Sequence, residues 1–208
     1  MSARNARAGI HMKSKLADAL WSLLKTQCLS TISVGDVIEA ASVSRGSFYY
    51  HFADLDTLVR WALLREVFDS DRQGHPFFLL ATKTALPQET HELKRSISRV
   101  CLLLDRGGMN IVFDVSLDAL VDLWCRVLQP DANELPNEVI SQLEYAVGGT
   151  VGMLARANVR DESKRRTSVA FIREQQIRMV RSIAAVLHMS PSELMARLAQ
   201  VEYPVAAA

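Results

Sequence analysis

The chain has 208 residues, of which 49% are apolar and 23% charged, and its formal net charge is +1. This length and apolar content are enough to bury the core of one or two domains. The near-neutral charge argues against a protein that coats nucleic acid non-specifically, but it permits a small, focused contact patch.

Glycine and proline are sparse, at 9 and 6 residues, and no alternating strand pattern persists, so we predict an all-α fold. The three cysteines are far apart and form no C-x-x-C pair, which is typical of a reducing compartment and suggests neither a disulfide framework nor a cysteine zinc site. The N-terminus lacks the apolar segment of a secretory signal, and no apolar run approaches the ~18 residues of a membrane span. We therefore expect a cytoplasmic protein without membrane contact.

The N-terminal segment, residues 1–9, is polar and small and is expected to be disordered. Its Arg4 and Arg7 are compatible with an untethered tail or with a basic arm that reaches a phosphate or the minor groove. A first helix is predicted over about 11–27. It carries a leucine stripe at helical spacing, formed by Leu16, Leu20, Leu23 and Leu24, and Trp21 beside this stripe is interpreted as core.

Residues 33–52 predict two short helices, over 34–41 and 45–51, joined by a tight turn. Ser33 and Asp36 form a capping-box-like pair at the start of the first helix, and Ser44 can cap the second. Phe48 and Phe52 are four residues apart, share one helix face and are interpreted as core.

The rest of the second helix carries hydrogen-bond donors. A helix-turn-helix needs this division, because apolar residues fix the angle between the helices while donors line the exposed side. Arg45 has the forked geometry for guanine or for a phosphate, and Tyr50 suits a thymine methyl or a phosphate. The predicted DNA contacts are Ser33, Ser44, Arg45, Ser47, Tyr49, Tyr50 and His51.

Residues 15–63 resemble the N-terminal domain of the tetracycline-repressor (TetR) family of bacterial transcription regulators. The resemblance rests on Ala-Ala-x-Val-Ser-Arg-Gly-Ser-Phe-Tyr at 40–49, where x is position 42, on the following His51-Phe52, and on Leu58. It implies that Tyr49 and His51 contact backbone phosphates. Two positions depart from the family pattern: Ser42 stands where the family usually has glycine, and Leu55 where it usually has lysine.

Further helices are predicted over 54–69, 76–84, 88–105, 109–129, 136–158, 161–188 and 191–201. A Gly/Pro-containing stretch at 70–76 separates two functional regions, and the helix over 54–69 belongs partly to both. We predict a DNA-binding domain over 1–57 and a helical effector-binding and dimerisation domain over 58–208.

The helices over 136–158 and 161–188 are predicted to form a homodimer interface. Mid-helix glycines cost about 1 kcal/mol each relative to alanine, so a cluster of them suggests close helix contact. In the next helix a 4-3-4-3 spacing suits packing on another helix, although the core of a single subunit explains it too. This spacing is formed by Ile172, Gln176, Met179, Ile183 and Val186. The predicted interface residues are Gly148, Gly149, Gly152, Ile172, Met179, Ile183 and Val186. The TetR resemblance also implies dimerisation through the last two large helices.

The resemblance implies a small effector held among the helices that follow the DNA-binding unit. Candidate walls are Trp61, Phe68, Phe77, Phe78, Phe113 and Trp124. Aromatic residues at helical spacing also suit an ordinary core. A mostly apolar pocket would favour a hydrophobic or aromatic effector.

Asp114, Asp118 and Asp122 cluster on one side of their predicted helix. We interpret them as a solvated acidic edge, with pairing to a cationic effector as the alternative. No histidine joins them at ligand spacing, so neither a metal site nor a cofactor is predicted. The sequence also lacks a phosphate-binding glycine loop and a nucleophile elbow, which argues against an enzyme.

The sequence thus predicts a homodimeric transcriptional regulator that binds a palindromic operator in double-stranded DNA and acts as a repressor released by an effector. Two alternatives stay open. One is a constitutive DNA-binding dimer without an effector, and the other is a helical protein-interaction module that has lost DNA binding.

Overall fold

A computed structural model describes residues 3–68, 91–128, 135–156 and 162–200. Within these ranges the secondary structure is helical and contains no strand, which confirms the predicted all-α class. None of the helices in these ranges is long and apolar enough to cross a membrane. The helices are α1 Ala3–Leu23, the 3-10 helix Leu29–Thr31, α2 Val34–Ala41, α3 Arg45–His51, α4 Leu55–Phe68, α5 His91–Asp105, α6 Met109–Leu128, α7 Asn137–Ala155, α8 Glu162–Val186 and α9 Pro191–Gln200.

The predicted N-terminal boundaries were wrong. α1 begins at Ala3 rather than near residue 11, so most of the segment expected to be disordered is the first part of this helix. The segment is rich in alanine and arginine, which have high helix propensity, but it lacks the apolar periodicity on which the prediction relied. α1 also ends at Leu23, earlier than predicted, and the 3-10 helix was not predicted. The predicted helix over 76–84 lies outside the described residues.

A stripe of leucines holds α1 against α2, α3 and α4. Leu16 and Leu20 of α1 and Leu24, which follows α1, have no exposed surface, and neither do Val37 of α2 and Phe48 of α3. All five belong to one core cluster. Burial of a large apolar side chain stabilises a fold by about 1.5–3 kcal/mol. This core therefore fixes the two short helices α2 and α3 relative to α1.

α2 ends in a left-handed residue, Ser42, with φ 49° and ψ 55°. The N–H of Ser42 donates to the carbonyl of Glu39 at 3.0 Å, and the N–H of Val43 donates to the carbonyl of Ile38 at 3.2 Å. This bonding pattern is the Schellman motif, in which the left-handed position is usually glycine. The same pattern ends α5 at Gly107, where φ is 93°. At Ser42 the Cβ makes this conformation strained.

Ser42→Gly is expected to raise the free energy of unfolding by a few tenths of a kcal/mol to about 1 kcal/mol. Relief of the left-handed strain exceeds the extra backbone entropy that glycine has in the unfolded chain. Urea unfolding at a fixed protein concentration measures the change. The matched control is Gly107→Ser, which introduces the same strain and should destabilise, since a Cβ there meets no atom within 4 Å and the effect is one of conformation. Destabilisation by Ser42→Gly would contradict the expectation.

α4 connects the first three helices to the later ones, because it packs against α1, α5 and α6. On the α6 side, the guanidinium of Arg60 lies 3.7 Å from the carboxylate of Asp114. A second connection joins the end of α5 to the segment after α1. The N–H of Leu29 donates to the carbonyl of Arg106 at 2.9 Å, and the Arg106 guanidinium donates to the carbonyl of Lys25 at 3.1 Å.

The later helices pack in sequence, with α6 against α7, α7 against α8 and α8 against α9. Trp124 of α6, Val147 of α7 and Ile183 of α8 are buried with 1% exposure or less. They belong to the same core cluster as the leucines of α1. The apolar interior therefore runs from the N-terminal helices to α9.

Candidate nucleic-acid interface

α3 is anchored on one side and open on the other. Phe48 is fully buried, and Phe52, which follows the helix, is 2% exposed; their ring centroids are 6.1 Å apart. On the opposite side Arg45 is exposed, and the tyrosines Tyr49 and Tyr50 are 47% and 79% exposed. A seven-residue helix thus presents an arginine and two tyrosines on a surface whose orientation is fixed by the core.

The predicted caps of α2 and α3 are confirmed. The backbone N–H and the hydroxyl of Ser33 each donate to the Asp36 carboxylate at 2.7 Å, and these bonds lower the pKa of Asp36. The Ser33 proton is therefore already engaged, next to a negative charge. Ser44 instead accepts the N–H of Ser47 at 3.1 Å, which uses a lone pair and leaves its hydroxyl proton for an outside acceptor. Of the two serines, Ser44 is better suited to donate to a phosphate.

The exposed residues of α3 support one another through ring contacts. The guanidinium carbon of Arg45 lies 5.8 Å from the ring centroid of Tyr49, within cation–π range. Tyr50 meets the ring of His51 edge-on, with centroids 4.9 Å apart. Ser47 is half-buried. These contacts restrict the side chains, while Arg45 and Tyr50 both remain exposed.

His51 lies where α1 passes the end of α3. Burial, and then the nearby Lys13 ammonium, lower the pKa of this half-buried histidine from its ordinary value of 6.5. A Cβ on Gly9 would lie 3.9 Å from the His51 ring. His51 is therefore neutral near pH 7, and its contribution to an interface is an N–H donor and not a fixed charge.

Lys13 was not among the predicted site residues, although the sequence carried a signal for it. It precedes Leu16 by three residues and Leu20 by seven, so it shares the buried stripe of α1. A lysine at the end of a core-facing stripe must direct its ammonium to a neighbouring helix or to the edge of the core. In the structure, Lys13 approaches the aromatic rings of Phe52 and Trp61.

The predicted effector-pocket residues lie in different surroundings. Trp61 of α4 is half-buried and packs edge-on against Phe52, with the ring centroids 5.7 Å apart. Trp124 is 1% exposed, while Phe113 is half-buried beside Gly148 of α7. The described contacts therefore do not bring these rings together around one space. The side chain of Phe68, and Phe77 and Phe78 altogether, lie outside the described residues.

The predicted dimer-interface residues differ in exposure. Ile172 and Ile183 of α8 are 2% and 0% exposed in the single chain, as expected if the α8 seam belongs to the core of one subunit. Met179 is half-buried, and Val186 is 37% exposed. The exposed members on α7 are Gly148, Gly149 and Gly152, and they follow Tyr145, which is 86% exposed.

The three aspartates of α6 lie on its exposed side, as predicted for an acidic edge. Asp114 faces Arg60 of α4, and Asp122 pairs with Arg126 one turn later. In the part of the chain that the structure describes, no group of three or more histidine, cysteine, aspartate or glutamate side chains is arranged to hold a metal ion. Leu55, at the position where the resembled family has lysine, is half-buried as the first residue of α4.

No family model matches the chain, and no curated protein matches it. The resemblance of residues 15–63 therefore rests on the residues of that segment, and the function must be inferred from the geometry of the site.

Proposed function

We propose that the chain is a sequence-specific DNA-binding transcriptional regulator, with α2 and α3 as a helix-turn-helix and α3 in the major groove. The observation that carries this proposal is that one side of α3 is buried in the core and the other side is exposed to solvent. Phe48 is fully buried, whereas Tyr49 and Tyr50 are 47% and 79% exposed beside the exposed Arg45. Large aromatic side chains left in solvent next to an arginine are typical of a binding surface.

The chemistry of these side chains suits duplex DNA. Arg45 can donate two parallel hydrogen bonds to guanine O6 and N7, and Tyr50 can pack on a thymine methyl or donate to a phosphate. Ser44 and His51 supply neutral donors for backbone phosphates, which position a protein on DNA without reading sequence. Because the proposed interface has few basic residues, its affinity for DNA depends more on the placement of its side chains than on its total charge.

A symmetric operator requires two copies of the chain. Recognition helices of a dimer must lie about 34–36 Å apart to enter successive major grooves. The exposed glycines of α7, with Tyr145 beside them, support a close approach by a second copy at that helix. The homodimer and its palindromic operator belong to this proposal.

In this proposal a small hydrophobic or aromatic effector binds the chain and releases it from the operator. α4 contacts α1 on one side and α5 and α6 on the other, so a shift of the later helices would tilt the helices that carry the DNA contacts. A compound that stabilises the protein but leaves operator affinity unchanged would contradict this coupling.

Arg45→Ala is expected to weaken operator binding by about 1–3 kcal/mol and to relax the base preference at one position of each half-site. The measurement is a fluorescence-anisotropy titration on DNA that the wild-type chain has selected from a random pool. Arg197→Ala is the control, because Arg197 is another exposed arginine, on α9, paired with Glu193 in the same helix. It should leave binding unchanged.

Equal operator binding by wild type and Arg45→Ala would remove α3 from the interface. Failure of the wild-type chain to select any sequence would favour the protein-interaction alternative. Sequence preference without any response to small compounds would favour the constitutive DNA-binding dimer.

A further inference from the structure

Lys13 of α1 contacts the residue that follows α3 and a residue in the middle of α4. Its ammonium nitrogen lies 5.8 Å from the ring centroid of Phe52 and 5.8 Å from that of Trp61. The two rings belong to different elements, since Phe52 follows α3 and Trp61 lies in α4, and they stack edge-on at 5.7 Å. Cation–π attraction of this kind restricts the position of the ammonium.

Phe52, whose ring the Lys13 ammonium approaches, directly follows His51, the last residue of α3. Burial is the main cause of the lowered pKa of the His51 imidazole, and the Lys13 charge adds to it. Gly9, one turn before Lys13, is the point at which α1 passes the His51 ring. Lys13 and His51 are both half-buried, so each retains a solvent-facing part. Tyr50, next to His51, is 79% exposed on the same helix. A cation from α1 and a donor from α3 thus converge at the rim of the α3 surface.

We propose that Lys13 and His51 together bind one backbone phosphate of the operator, which makes α1 a part of the DNA interface. This inference rests on the proposed function, and it adds a charged contact from an element outside the helix-turn-helix. A phosphate between the two groups accepts hydrogen bonds from both and screens the imidazole from the ammonium. Lys13 supplies the full positive charge that the neutral His51 lacks. The contact positions α3 in the groove and reads no base.

The test is a salt series of DNA titrations on the full-length chain, with its selected operator and a scrambled duplex. Lys13→Met keeps the aliphatic stem against Phe52 and Trp61 but removes the charge. It is expected to lower the slope of log K against log salt by about 0.9 and to weaken binding roughly fivefold to tenfold near 0.1 M salt on both duplexes. Lys13→Arg should restore the slope, because it restores the charge.

Lys15→Met is the matched control. Lys15 is an exposed lysine of the same helix, two residues on and therefore on another side of α1, and its loss should leave the slope unchanged. Lys13→Met combined with His51→Gln should lose less affinity than the sum of the single losses, because the two groups share one phosphate. A role of Lys13 in stability alone would lower the unfolding temperature without changing the salt slope.

An unchanged slope for Lys13→Met, or strictly additive losses in the double variant, would overturn the shared phosphate site while wild-type operator binding stays intact. A wild-type chain that binds no duplex would overturn the proposed function and this inference together. The wild-type titration therefore distinguishes the two failures.

Discussion

Phe48→Ala is expected to lower the free energy of unfolding by about 3–5 kcal/mol, the usual range for truncating a fully buried phenylalanine. Phe48 has no exposed surface and meets Phe52 and Tyr49 at centroid distances of 6.1 and 5.4 Å. A seven-residue helix has little stability of its own, so this ring is the main attachment of α3 to the core. Urea unfolding at one fixed protein concentration measures the loss.

Tyr50→Ala is the control on the same helix. Tyr50 is 79% exposed, so its removal should change the free energy of unfolding by less than about 0.5 kcal/mol. Under the proposed function it should nevertheless weaken operator binding. A loss below about 1 kcal/mol for Phe48→Ala would mean that the core does not hold α3 in the described orientation.

The local structure around α2 and α3 was predictable from the sequence, because the interactions that determine it span few residues. The Ser33 cap involves Asp36, three residues on, and the Ser44 cap involves Ser47 at the same spacing. The burial of Phe48 follows from its helical register. The three-residue distance of a cap and the period of a helix can be read directly from a sequence.

Contacts between distant segments were not predictable from the same information. The neighbours of Lys13 come from α3 and α4, and the bond between Glu66 and Arg99 joins residues 33 positions apart. The geometry of these contacts depends on how whole helices pack against each other. No spacing between residues along the sequence reports on that packing. Ile172 and Ile183 illustrate this limit: their spacing suited either a partner helix or the interior of one subunit, and their burial in the single chain was decided by packing.

Glu66 is the centre of a buried ion-pair network between α4 and α5. Its side chain is 2% exposed and accepts a hydrogen bond from Arg99, while the Arg95 guanidinium lies 3.5 Å away. Arg99 also binds Asp18 of α1 at 3.1 Å, and its guanidinium stacks over Trp21 at 5.3 Å. One arginine of α5 therefore contacts both α4 and α1.

Arg99→Met is expected to lower the free energy of unfolding by about 3 kcal/mol, because it removes from the buried Glu66 carboxylate the nearest cation that the structure describes. The methionine retains most of the volume against Trp21, so the loss reports mainly on charge. Arg95→Met is the control. Its side chain is 38% exposed and 3.5 Å from Glu66, so we expect a loss below about 1 kcal/mol. Equal losses for the two variants would contradict a dominant Glu66–Arg99 pair.

Glu66→Leu combined with Arg99→Met removes both charges and should recover most of the stability lost in the single Arg99 variant. A well-packed apolar pair is commonly as stable as a buried ion pair, since neither charge then has to be desolvated. A fully additive loss would instead show that the two side chains act independently. The operator affinity of the double variant then shows whether the pair also sets the orientation of the helices, beyond its effect on stability. If Arg99, through its bonds to Glu66 and Asp18, sets the angle of α4 against α1, the double variant regains stability but still binds DNA with altered affinity, because apolar side chains lack the directional bonds that define this angle.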